Sequence, residues 1–477
     1  RSIITSKPIL AFFMVLLMSL SGCTGVVDND EDPSYTMVPV DLEDTVVRAA
    51  GSPMLASYVD CDELEIELKN SIEEETRTNL LQAVEEVYYW GGMWMEDDMA
   101  VAESSDEATS SSPQPRQKGT DFSGTNNQEQ GVDEADFVKT DGYHIYFVDD
   151  GLLHIMDVPE FGEIEHASTT VIEGNPVAMM LNENSLVVVS TVSSWNIDSD
   201  DKLAESMGWG GDWNGWRTSI LTKFTVFDVS NSTEPEIDRE LYIEGSYMTA
   251  REVSGSVRAV THTWMDIPEL QTWLNYPKGY WDSDVTEEER LNMREVAALE
   301  AIGHNLEILD EITLEQILPQ VHERVGDDII THHMSENDCS DFTAPEGALN
   351  RGYTSIFTID LTSEDLDYEA DHIVGNWPLV YASEDKLIIT ESAWDWWWFW
   401  NNDNLEEATN IHTFDISEPG ATIYAGSGRV EGTIQNQFSI SEYEGVVRVA
   451  TTTGQWGRWW MENPEPMESH VINLVNT

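Results

Sequence analysis

From Tyr143 onward, apolar and polar positions alternate in short runs, and the runs return as a repeated unit. The stretches GNPVAMMLNENSLVVVS from Gly174, GSYMTAREVSGSVRAVTHT from Gly245, GNWPLVYASEDKLIITES from Gly375 and GTIQNQFSISEYEGVVRVATTT from Gly432 share one plan. Each holds a glycine, a strand, a polar turn and a β-branched strand. A second unit follows the first three at a variable interval: TKFTVFDVSNSTEPEIDRELYIEG, TSIFTIDLTSEDLDYEADHIVG and TNIHTFDISEPGATIYAGSGRVEG. Here an alternating strand ends in Asp plus an apolar residue, then come a turn and a strand closing at Gly. Joined, the two units make a four-stranded antiparallel blade whose outer strand leads into the next, and the pattern predicts a mainly β fold, a β-propeller. YHIYFVDDGLLHIMDV with ASTTVIEG reads as a first copy whose middle loop is trimmed to a tight turn. A sandwich of similar hairpins is the competing architecture, and the closeness of the copies favours the propeller. At the other end, His470 to Val475 matches the third strand of a further copy. With no fourth strand after it and no initiator Met, the propeller is expected to be incomplete.

The flanking patterns differ. Leu80, Leu81, Val84, Val87 and Tyr88 form a helical stripe, with Ser71 and Glu74 at capping-box spacing, so a small helical region is expected over 46–95. Residues 96–122 turn acidic and Ser-rich and read as a disordered linker, leaving the propeller to span 123–477. Within it, about 265–350 breaks the strand pattern. Thr286 with Glu289 and Thr313 with Gln316 are capping pairs, and LNMREVAALEAIGHNLEIL carries an apolar stripe, which predicts a helical insertion.

The N-terminus supplies an address. Arg1 and Lys7 precede PILAFFMVLLMSL, an apolar run of signal-peptide length that is short for a bilayer span. Leu20, Ser21 and Gly22 before Cys23 read as a lipobox, so residues 1–22 are expected to be a signal peptide with Cys23 lipidated, and 23–45 an acidic tether. This places the protein, by expectation, outside the cytoplasm on a membrane surface. A plain signal peptide with a chance cysteine is the alternative. Cys61 and Cys339 remain, an even number that in an exported chain suits one disulfide, though spacing alone does not show that they approach.

Charge narrows the partners. Ninety acids against 23 bases give a formal net charge of −67 over 477 residues, a field that repels nucleic acid and anionic lipid and suits a salty medium. With 40% apolar residues and 18 Trp, the chain still has the material for a large core.

TNNQEQGVDEADFVKTDG at 125–142, the IHTFDI strand with Ile411, His412, Phe414 and Ile416, and NQFSISEYEGVVRVATT occur in an order that resembles a family of secreted bacterial and archaeal proteins with a C-terminal β-propeller domain. Gln130 and Phe137 depart from that pattern, where Glu and Ile or Val would stand. The resemblance covers about Ser123 to the end. It implies a propeller, export and further blades beyond this chain, and it carries no established activity and no catalytic residues.

Enzyme signatures are absent: no H-E-x-x-H, no G-x-S-x-G and no Walker loop. GSGRVEG at 426–432 reads as a turn, and His332, His333 and Asp338 as a polar loop rather than a metal site. NIDSDD at 196–201 lacks the glycine and the final glutamate of an EF-hand. Calcium is the cofactor the composition could suit, and Asp133, Glu134 and Asp136 beside Gly131 are its expected ligands, with turn and capping roles as the alternative. Three loops that follow a blade's second strand are rich in tryptophan: Trp209, Trp213 and Trp216; Trp394, Trp396, Trp397, Trp398 and Trp400; Trp456, Trp459 and Trp460. They are expected either to form a stacking platform for sugars or peptides or to pack on themselves as a lid. The preferred function is a non-catalytic module binding glycan, peptide or protein through these loops. The alternative is an extracellular hydrolase or lyase acting on a polymer, and a quinone-dependent redox propeller has no specific support.

Overall fold

Leu186 to Val189 shows how the repeat builds the fold. Successive side chains of a strand point to opposite faces, so Leu186 and Val188 pack with Tyr146 and Leu153 of the preceding sheet while Val187 and Val189 pack with Ala250 and Val257 of the next. Strands that read as unbroken apolar runs are thus buried on both faces. The computed structural model describes residues 51–84, 116–117, 122, 127–129, 131–209, 218–265, 267–334, 339–348, 352–363, 366–394, 405–455 and 464–475.

Five sheets follow in chain order, as the repeat predicts. The first is Val138–Thr140, His144–Asp149, Leu152–Asp157 and Glu165–Val171, and its middle hairpin turns through Asp150 and Gly151, both at positive φ. The second is built on Asn175–Asn182, Ser185–Ser193, Ile220–Asp228 and Glu236–Glu244. Ser246–Val253, Ser256–Trp264, Gly352–Asp360 and Tyr368–Val374 make the third, and Leu379–Ala382, Lys386–Ser392, Ala408–Asp415 and Ile423–Glu431 the fourth. The fifth has three described strands, Ile440–Tyr443, Val446–Thr453 and Glu468–Val475. An apolar cluster fills each contact between neighbours: Ile389 and Phe414 meet Val260 and Ile356 across the third and fourth sheets, and Ile388 and Ile411 meet Ile440 and Val449 across the fourth and fifth. These are propeller blades packed face to face.

The insertion is only partly helical. Helix Glu287–Glu311 starts at the Thr286–Glu289 capping box, as expected. It is followed by a hairpin, Gln320–Val325 with Asp328–His333, that extends the second blade, and by Phe342–Pro345, which adds to the outside of the third. The hairpin and the added strand went unread because they lack the glycine-closed repeat. At the N-terminus, the helix begins at Cys61 rather than near Ser71. Asp60 accepts a hydrogen bond from Glu63 N at 2.9 Å, while Ser71 lies inside the helix and donates to Ala348 O. A Ser-x-x-Glu spacing is a start signal only where the helix has not already begun. Leu64, Leu68 and Ile72 pack with Leu309, Ile312 and Leu318, and Leu80 and Val84 with Ala297 and Ala301, so the N-terminal helix lies against the insertion. Cys61 and Cys339 are joined there by a disulfide, Cα atoms 5.1 Å apart.

Candidate functional site

Two regions concentrate polar groups. The first is the acidic lead-in to the first blade. Its residues cross the ring: Gln128 Nε2 donates to Gln437 O and Ile440 O of the fifth blade, and Glu129 Oε1 accepts from Tyr381 OH of the fourth at 2.8 Å. Asp133 and Glu134 pair with Glu252 and Arg251 of the third blade's inner strand, and Asp136 bridges to Met179 of the second. Gly131, at φ 84, passes so close to the fourth blade that a Cβ there would sit 2.6 Å from Glu384 Oε1.

The three acids do not share one point. Asp133 Oδ2 accepts from the buried Lys139 Nζ at 2.8 Å, Glu134 lies 3.6 Å from Arg251, and Asp136 Oδ1 accepts from Phe137 N. Neighbours in a strand face opposite ways, which divides Asp133 from Glu134. Among the described residues, no group of three or more His, Cys, Asp or Glu is placed to hold a metal.

The second region is the face bearing the loops after each blade's second strand. Of the tryptophans singled out above, Trp209 and Trp394 are described and both pack on their own loops. Trp209 joins Val192, Leu203 and Tyr242 and donates to Thr218 O, and Trp394 donates to Glu406 O with the Arg429 guanidinium 5.7 Å from its ring. Trp213, Trp216, Trp396, Trp397, Trp398, Trp400, Trp456, Trp459 and Trp460 lie outside the described residues, as do Cys23 and Asp338.

Among the described residues, the exposed tryptophans are others. Trp195, Trp264, Trp273, Trp281 and Trp377 are 86%, 47%, 65%, 77% and 62% exposed. They were missed because they are single residues outside the Trp-rich words; the signal available was position, since Trp264 ends a second strand and Trp377 lies in a connection between blades. Trp264 and Trp377 flank one imidazole, His262, at ring distances of 6.4 and 5.0 Å. His262 Nδ1 meets Thr354 Oγ1 at 3.2 Å, its Nε2 has no partner, and burial draws it down to about 4 against the pull of Glu391. Gly352 makes the room: a Cβ there would stand 2.7 Å from the His262 ring and 2.6 Å from Gly375 O.

The end of the same strand borders a cleft of about 500 Å³, lined among others by Thr218, Glu244, Ser246, His262, Thr263 and Trp264. Glu244 Oε2 accepts from Gln320 N at 3.1 Å. The face also carries Glu391, which accepts from Asn376 N and meets His412 Nε2 at 3.4 Å. Both are buried, Glu391 at 6% and His412 at 0% exposure, which suits cross-bracing of the fourth blade rather than contact with a substrate.

A further cleft of about 480 Å³ lies at the outer rim, lined by His332, His333, Asp341, Tyr368, Asp371 and His372 among others. The adjacent His332 and His333 go to different acids, Glu323 and Glu315. Burial, and then the Asp341 and Glu369 carboxylates, push Asp371 up to about 7.

Residues 122–475 match the family model described as beta propeller domain. The chain is 22% identical to an uncharacterized protein of Methanocaldococcus jannaschii, over 94% of this chain and 64% of the relative. It is also 22% identical to an uncharacterized protein of Archaeoglobus fulgidus, over 72% of this chain and 53% of the relative. It therefore spans less than two thirds of the length of both curated relatives. Among solved structures it is similar to the N-terminal domain of Nup159, at 9% identity over 67% of this chain and 58% of that one, with a TM-score of 0.20, too low to carry an argument.

Proposed function

Because the chain belongs to the beta propeller domain family, we propose that it is a non-catalytic recognition module whose long-loop face binds a glycan, peptide or protein partner outside the cytoplasm. The observation that carries this reading is the exposure of Trp264 and Trp377 around one imidazole. Large exposed aromatic surface on a soluble face marks interaction sites, and Trp is enriched where binding energy concentrates. A polysaccharide and peptide array probed with the full chain tests this. Retention lost in the Trp264→Ala, Trp377→Ala double variant, with no product released, is the expected result; turnover of any arrayed polymer would overturn it.

The location belongs to the same proposal. The lipobox ending at Cys23 supports lipid anchoring, and a disulfide joining residues 278 positions apart suits an oxidising compartment. Cys23→Ala is expected to move the protein from the membrane to the soluble fraction, and unchanged membrane recovery would remove the anchor from the reading.

A further inference from the structure

The strand Ser256–Trp264 carries polar groups toward both of its sides at the long-loop face. Thr261 and Thr263 stand beside Gly245, and Thr263 lines the cleft together with His262 and Trp264. His262 and Trp264 share the opposite parity, with Trp377 beside them. Two consecutive side chains here are buried with an open polar atom: Thr261 Oγ1, in a residue 0% exposed, and His262 Nε2, in one 3% exposed. Native proteins leave few buried polar atoms unpaired, so each one asks for an explanation.

The chemistry around them selects a ligand class. The cleft lining contains no Lys or Arg, and the chain carries a net −67, so an anionic ligand meets repulsion without a counter-charge. A cationic ligand finds little counter-charge in the cleft, because the acid in its lining, Glu244, is buried and already accepts from Gln320 N. Peptide capture by strand addition needs a free strand edge. Two of the strands bordering the cleft offer none: Ser256–Trp264 is paired on both sides, and Glu236–Glu244 lies between Ile220–Asp228 and Gln320–Val325; the third, Ser246–Val253, is paired on its far edge at Arg251 and Glu252. The lining favours a neutral molecule with many hydroxyls and apolar C–H faces. Ser219 and Ser246 supply hydroxyl partners, Thr263, whose hydroxyl donates to Glu244 O, supplies an acceptor, and exposed indoles supply stacking surface.

We propose that the long-loop face around Trp264 and Trp377 is a subsite for a neutral saccharide, whose ring faces stack on the two indoles and whose hydroxyls bond within the Thr263 and Ser246 cleft. This inference rests on the recognition reading above and narrows it to one ligand class. The subsite holds its ligand without breaking a bond.

The test is calorimetry of the full chain with cellopentaose, laminaripentaose, mannopentaose and maltopentaose, beside hexagalacturonate and a lysine-rich peptide. Binding of at least one neutral pentasaccharide with a Kd near 1 mM or tighter is expected, equal at 0.1 M and 1 M NaCl because screening leaves a neutral ligand untouched. Trp377→Ala is expected to weaken it at least tenfold. His262→Asn keeps an atom at the Nδ1 position and removes Nε2; weakening with unchanged melting would assign that nitrogen to the subsite. If the peptide binds, the sugars do not, and Trp377→Ala abolishes the peptide, the saccharide inference falls while the recognition reading stands. If hexagalacturonate binds best, the inference falls on charge. If none of the probes binds and the array above is also blank, both fall.

Discussion

The lead-in segment and the long-loop face are both rich in polar side chains, and they use them in opposite ways. In the lead-in, most acids face a partner: Asp133 has Lys139 and Glu129 the Tyr381 hydroxyl, while Glu134 makes a looser ion pair with Arg251 at 3.6 Å. On the long-loop face, the buried His262 keeps a nitrogen without a partner, and Trp264 and Trp377 beside it keep exposed rings. Saturated polar groups hold a chain in place, whereas open ones at a surface are available to something else. The lead-in is therefore a strap across four blades, and the loop face is where recognition is to be sought.

The largest effect that could break this contrast is at Lys139, which is 3% exposed. Lys139→Ala would leave the Asp133 carboxylate without its ammonium, and removing one partner of a buried pair costs about 3–5 kcal/mol. Chemical denaturation should show that loss; a shift under about 1 kcal/mol would mean the strap is not structural. Next is Gly131→Ala. A side chain at φ 84 is disfavoured by about 1–2 kcal/mol, and the new Cβ would also displace Glu384. Loss of stability without loss of array binding would keep the two regions distinct.

A third, smaller test concerns an acid that lacks the strap's pairing. Asp371 has a folded value near 7 against an ordinary 3.8. Because the folded value is raised, its contribution to stability is present below pH 4 and is lost as pH rises through 7. Asp371→Asn should melt above the wild type at pH 8 and converge with it near pH 4; coincident curves would show the shift to be absent. The smallest expected effect is Trp377→Ala, which should change stability by no more than about 0.5 kcal/mol, as for a surface position. A larger loss would make that tryptophan part of the packing and weaken the case for a recognition face.

Much of the fold was legible because blades write themselves locally. A β-branched strand, a polar turn and a closing glycine recur within a few tens of residues, and Leu186 to Val189 shows both burial faces in four letters. The Thr286–Glu289 capping box was legible for the same reason, since both partners lie within one turn. The Ser71–Glu74 spacing misled because the true start, at Asp60, has the same chemistry eleven residues earlier. The site was far less legible. The Trp-rich words at 209 and 394 drew attention, yet their described members are half-buried and bonded to their own loops, while Trp264 and Trp377 carry the exposed surface.

The sequence by itself determined the blade repeat, the helical part of the insertion and the overall negative field, because period, capping and charge are properties of neighbouring letters. Only the tertiary structure decided which acids are paired and which ring nitrogen is open. Lys139 lies six residues from Asp133, but Glu129 meets Tyr381 across 252 positions, and His262 meets Trp377 only where the third blade hands over to the fourth. Whether a polar group is satisfied depends on what long-range packing brings to it, and no local pattern records that.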